Sequence, residues 1–137
     1  MIVIDASVAV KIINRSEEDV SQAENLYNNH VTGKEQIIVP ELLFIEVANY
    51  LATKTLTSSR DIRNGLAILI NASFITEPIN PDLLLESTQL AKKHGTSVYD
   101  MLYAVIAKNK KIKLITADDR FVKKVGFPFV QTLTHYV

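Results

Sequence analysis

The chain has 137 residues, 47% hydrophobic and 22% charged, enough for one domain with a real core. Fifteen lysines and arginines balance fifteen aspartates and glutamates. That excludes the basic surface of a broad duplex binder but leaves a nuclease open, because acids gathered in one cleft leave the remaining surface mildly basic. With no cysteine there are no disulfides or thiolate metal sites, and no apolar run is long enough to span a membrane. The N-terminus enters Ile2-Val3-Ile4 without a basic leader, and these features together set the expectation of a cytoplasmic protein.

In chain order, residues 2–4 form a short β-branched run, and Ser16 to Asp19 can open a helix reaching about Asn29. A second strand is expected over 36–39. Pro40 then opens an apolar helix that carries Glu46 and fades by Thr55. Thr57 or Ser58 caps a helix running through Ala67 and Ile70, followed by a strand over 74–76. Asn80-Pro81 reads as an N-cap with proline at the first helical position, leading through 83–93 to a stop at Gly95. A helix over 101–107, a strand over 113–116, a short helix through Phe121 and Val122, and a strand over 129–131 complete the chain. Strands alternating with helices predict an α/β fold whose mostly parallel sheet of four or five strands is covered by helices. Without a repeat or a Pro/Gly-rich linker, residues 1–137 read as a single domain.

Such a topology gathers strand C-termini and helix N-termini along one edge, where open α/β folds bind ligands. Asp5 follows the first strand, Asp118 follows the strand over 113–116, and Asp100 lies in a first helical turn, so all three belong to that edge. Each also has a plain structural use. Asp5 and Asp118 suit N-caps, and Ser97-Val98-Tyr99-Asp100 resembles a capping box. Glu46 lies within a helix expected to be largely buried, roughly 8–9 Å from a start at Pro40. It either pairs with a basic group such as Arg63 or Lys54 or leans back into a charged cleft, and we favour the cleft. Converging carboxylates repel by roughly 1–4 kcal/mol per close pair. A hard divalent cation relieves that repulsion, which points to metal-dependent phosphoryl chemistry. Ser7 and Thr116, each two residues from a site aspartate, can position an acid, a water or a phosphate oxygen, or make ordinary turn hydrogen bonds. His30, His94 and His135 lack metal-ligand spacing and read as surface residues, while Tyr50, Tyr99 and Tyr103 read as packing residues whose hydroxyls find partners. Lys108, Lys110, Lys111 and Lys113 form a cluster, as do Lys123 and Lys124, and they suit solvated helix ends.

Four segments, in order, resemble the PIN domain family and within it the VapC-type toxins of toxin–antitoxin pairs. They are Ile2-Val3-Ile4-Asp5-Ala6-Ser7, the run from Pro40 to Asn49, Val98-Tyr99-Asp100-Met101-Leu102-Tyr103-Ala104, and Leu114-Ile115-Thr116-Ala117-Asp118-Asp119-Arg120-Phe121. The resemblance implies a three-layer α/β/α sandwich that binds Mg²⁺ or Mn²⁺ and hydrolyses RNA phosphodiesters as an endoribonuclease. It implies Asp5 and Asp100 as principal metal ligands, Glu46 and Asp118 completing the catalytic set, and Ser7 and Thr116 in support. It also implies a homodimer held inactive by a VapB-type antitoxin. Single-stranded or structured RNA is the expected substrate, guided by rim cations such as Arg60, Arg63, Arg120 or the lysine clusters. The alternatives are a non-catalytic RNA- or partner-binding module of the same fold and a stand-alone RNA-processing nuclease without an antitoxin. An aspartyl-phosphate phosphatase would want an acid where Ser7 stands. A receiver domain would want an acidic pair after the first strand, and dinucleotide binding would want a glycine fingerprint.

Overall fold

A computed structural model describes residues 1–14, 19–53 and 57–136. Five short strands, β1 (Ile2–Ile4), β2 (Ile37–Pro40), β3 (Ile75–Glu77), β4 (Lys113–Thr116) and β5 (Val130–Thr132), form one sheet in the order β3-β2-β1-β4-β5. Every pairing is parallel, so the sheet is more uniform than the mostly parallel one expected. The central strands β1 and β2 are buried at every residue, as parallel strands covered on both faces require.

Among the described residues, eight helices connect and flank the strands: α1 (Ala6–Ile13), α2 (Val20–Val31), α3 (Leu42–Thr53), α4 (Ser59–Asn71), α5 (Pro81–His94), α6 (Val98–Lys110), α7 (Asp119–Val125) and α8 (Leu133–Tyr136). α1 packs against α2, α3 and α4, while α5 packs against α6, which lies over β1, β2 and β4. Chain direction across the sheet reverses between β1 and β4, which are neighbours although far apart in sequence. A crevice at the carboxyl ends of such a strand pair is where open α/β sheets seat ligands.

Local chemistry accounts for most element ends. Asn80 caps α5 by accepting from Leu83 N–H at 2.8 Å, Pro81 follows, and Gly95 stops the helix at φ +66, a left-handed conformation that glycine adopts without a Cβ penalty. Ser58, of the two candidates, caps α4 by accepting from Asp61 N–H at 3.2 Å. The helix expected to open near Ser16 begins at Val20 after a left-handed Asp19, and Ser16 itself lies outside the described residues.

Two expectations around Glu46 need correction. Pro40 closes β2, paired with Glu77, and α3 starts at Leu42. Glu46 is therefore about 6 Å into its helix, closer to the ligand edge than the sequence implied. Nor is α3 largely buried: Leu43, Val47 and Leu51 form the buried stripe at four-residue spacing, whereas Ile45 is 67% exposed.

Candidate active site

Asp5 leaves β1 in extended geometry and caps α1, its Oδ1 accepting from Val8 N–H at 3.2 Å and from the Ser7 hydroxyl at 2.5 Å. Ser7 Oγ in turn accepts from Ala117 N–H at 2.9 Å, tying the start of α1 to the loop after β4. Thr116, fully buried at the end of β4, lies 3.5 Å from Ser7 Oγ, and its Oγ1 accepts from Asp118 N–H at 3.0 Å. The register Ile4 opposite Ile115 makes this possible, because it sets Asp5 beside the last residue of β4, Thr116, and Asp5 N–H reaches Ile115 O. Ser7 and Thr116 thus hold the first aspartate and the loop carrying the last.

Asp118 is exposed and caps α7, accepting from Arg120 N–H at 2.9 Å and Phe121 N–H at 3.0 Å through one oxygen. On α6, Ser97 Oγ accepts from Asp100 N–H at 3.1 Å, while the Asp100 carboxylate also bonds the Ser97 side chain. The N-cap uses inferred from sequence are therefore made by Asp5, Ser97 and Asp118. They coexist with convergence, since each carboxylate retains a second oxygen.

Electrostatics record that convergence. Burial raises the Asp5 carboxyl from its ordinary 3.8 to about 6 against the pull of hydrogen bonds from Ser7, Thr116 and Val8, and the charge of Asp100 adds to the rise. Glu46 is raised first by burial, opposed by a hydrogen bond from Tyr103, and raised further by Asp100 and Asp5. Asp100 is raised by burial, lowered by Ser97 and raised by Asp118. Each of the four acids thus repels at least one other.

Tyr103 is the site residue that the sequence left among packing residues. Its ring is 1% exposed, and its hydroxyl donates to Glu46 Oε1 at 2.7 Å, with burial and then the Glu46 charge pushing the phenol far above its ordinary range. Its place three residues after Asp100 on one helix was the available signal.

Other polar candidates are used elsewhere. Lys108 pairs with Glu86, Lys110 with Glu77 at 2.9 Å, Lys111 ends α6 in left-handed geometry, and Lys113 lies 5.5 Å over the Tyr136 ring. His30 is half-buried rather than a surface residue. Its Nδ1 accepts from Ile37 N–H at 3.1 Å and its Nε2 lies 3.0 Å from Ala72 O, so it bridges α2, β2 and the end of α4. Glu46 bonds Tyr103 rather than Arg63, and Lys54 lies outside the described residues.

Carboxylates at the switch point of a parallel sheet place the chain among α/β domains whose ligand edge is acidic. A family model described as PIN domain matches residues 2–127, and the chain belongs to that family. It is similar to a "VapC ribonuclease" of Aquifex aeolicus (strain VF5), 26% identical over 130 residues that cover 95% of this chain and 96% of the relative. Its fold resembles Mycobacterium tuberculosis VapC20, described as a sarcin-ricin loop cleaving toxin, with TM-score 0.72, 18% identity and coverage of 96% and 99% of the two chains. It also resembles VapBC2 from Rickettsia felis, solved bound to a promoter DNA fragment, with TM-score 0.70, 15% identity and coverage of 96% and 98%. No described helix is long and apolar enough to cross a membrane.

Proposed function

We propose that the protein is a metal-dependent endoribonuclease of the VapC type, a single PIN domain over residues 1–137, using Mg²⁺ or Mn²⁺ to hydrolyse RNA phosphodiesters. The observation that carries this reading is the gathering of four acids at one edge of a PIN domain: burial raises Asp5, Glu46 and Asp100, the charge of Asp100 adds to the rise of Asp5 and Glu46, and Asp118 adds to that of Asp100.

The donor set fits a hard divalent cation, because every candidate ligand is a carboxylate oxygen. Among the described residues, no group of three or more His, Cys, Asp or Glu is close enough to enclose an ion. Asp5 and Asp100 are the principal ligands in this reading, with Glu46 and Asp118 completing the set. When bound, the ion supplies Lewis acidity, polarising the phosphoryl oxygen and lowering the pKa of the attacking water. The protein's own contribution is preorganisation. Ser7 and Thr116 fix Asp5, Ser97 fixes Asp100, and Tyr103 orients Glu46. No side chain is required as a covalent nucleophile.

A VapB-type antitoxin is the proposed partner, supported by the Rickettsia felis VapBC2 structure and by a neighbour described as a toxin–antitoxin complex from Klebsiella pneumoniae. Exposed Ile68 and Ile70 on α4 and Leu84 and Leu85 on α5 offer apolar surface for a homodimer or antitoxin contact in the cytoplasm. The test is cleavage of mixed-sequence single-stranded RNA with Mg²⁺ or Mn²⁺, with EDTA, and by Asp100→Asn. Metal-dependent cutting that the variant loses supports the reading. Equal cutting by the variant, or cutting that survives EDTA, overturns it.

A further inference from the structure

Beside the acids, a cleft of about 440 Å³ opens between α1 and α3, with Glu46 and Ser7 at one side. Its remaining lining is unlike the acidic edge. Ala6 and Val10 give small apolar surface, Tyr50 an aromatic ring, Lys11 a cation and Asn49 a neutral amide. The volume falls in the range of about 300–1,000 Å³ typical of small-ligand sites. Spacing orders the groups: Lys11 lies one turn beyond Ser7 on α1, and Asn49 one turn beyond Glu46 on α3. Asn49 is exposed, and its side-chain amide bonds no described residue, while its main-chain oxygen takes the Thr53 hydroxyl at 2.7 Å. An amide one helical turn from Glu46, with both donor and acceptor available, matches the paired donor and acceptor on a nucleobase edge.

We propose that this cleft seats the one nucleotide flanking the scissile phosphodiester, with Asn49 reading its base edge and thereby setting the sequence preference of cleavage. The proposal rests on the ribonuclease reading and names where that substrate's sequence is read. The small side chains accept a flat ring, Tyr50 adds aromatic surface, and Lys11 adds a positive charge to the lining. A site for a phosphate alone would not be lined so largely by apolar and neutral groups.

Two assays separate this proposal from the nuclease reading. In the first, the full chain and Asn49→Ala are incubated with a randomised single-stranded RNA pool and Mn²⁺, and the cut sites are sequenced. The expected result is a base preference at one position beside the cut that falls on the order of tenfold in the variant, the discrimination of one good base contact. Asn49→Gln, which keeps the amide, restores part of it. Cut sites distributed identically for all three proteins overturn the assignment of Asn49 while leaving the nuclease intact. In the second, the four nucleoside 5′-monophosphates are titrated into wild type and Asn49→Ala, followed by amide chemical shifts. Binding that perturbs α1 and α3 and distinguishes the bases only in wild type supports the cleft, even if no RNA is cut and the nuclease reading fails. Equal binding of all four, or shifts elsewhere, overturns it and leaves the cleft to a protein partner.

Discussion

Asp5→Asn provides the sharpest separation of folding from chemistry. Lifting a carboxyl from 3.8 to about 6 costs its ionised form about 3 kcal/mol at neutral pH. Asparagine keeps an oxygen for Val8 N–H and the Ser7 hydroxyl but carries no charge. Because Asp5 retains partial solvent contact, we expect the metal-free variant to be more stable than wild type by about 1–3 kcal/mol at pH 7.5. The sign follows from proton linkage. Between pH 3.8 and about 6 the native state holds a proton that the unfolded state has lost, so wild-type stability falls as pH rises through that window and then levels. The variant lacks this slope, so its advantage shrinks toward zero as pH falls below about 4. Urea denaturation in EDTA at pH 4.5 and 7.5 measures both numbers, and RNA cleavage should be lost. A variant that is destabilised at pH 7.5, or whose advantage is independent of pH, refutes the account of Asp5 as a buried, repelled carboxylate.

Other outcomes follow from the same contacts. Mg²⁺ should stabilise wild type at pH 7.5, by about 2.7 kcal/mol at a hundredfold excess over its dissociation constant, and should stabilise Asp5→Asn far less, as read by thermal melting. Ser7→Ala strips the acceptor from Ala117 N–H, which predicts a loss of about 1–3 kcal/mol. It also removes a hydroxyl that draws Asp5 down, so the Asp5 titration followed by carboxyl NMR should move to higher pH. Tyr103→Phe preserves the buried ring but removes the bond to Glu46. It should fold normally, lose about 1–3 kcal/mol and cut RNA on the order of tenfold more slowly, and undiminished cleavage would remove Tyr103 from the site.

The alternation of β-branched runs with capped helices was enough to identify the α/β class and place all five strands within a residue or so, because turn and cap chemistry is local. Asn80-Pro81 and Gly95 bound α5 through bonds only a few residues long. The aspartates were legible for a related reason: the end of a parallel strand and the start of a helix share an edge whatever the distant packing. Three matters depended on contacts far apart in sequence. Pairing of Pro40 with Glu77 moved the start of α3 and brought Glu46 to the edge. Packing of α6 over the sheet carried the Tyr103 hydroxyl across 57 positions to Glu46. Glu77 and Glu86 engaged two of the lysines that looked like a free basic cluster. Composition and periodicity report which groups a chain owns and how each helix or strand begins and ends. Which oxygen faces which proton across the sheet is decided only when the strands find their order, because a tertiary hydrogen bond leaves no period in the sequence.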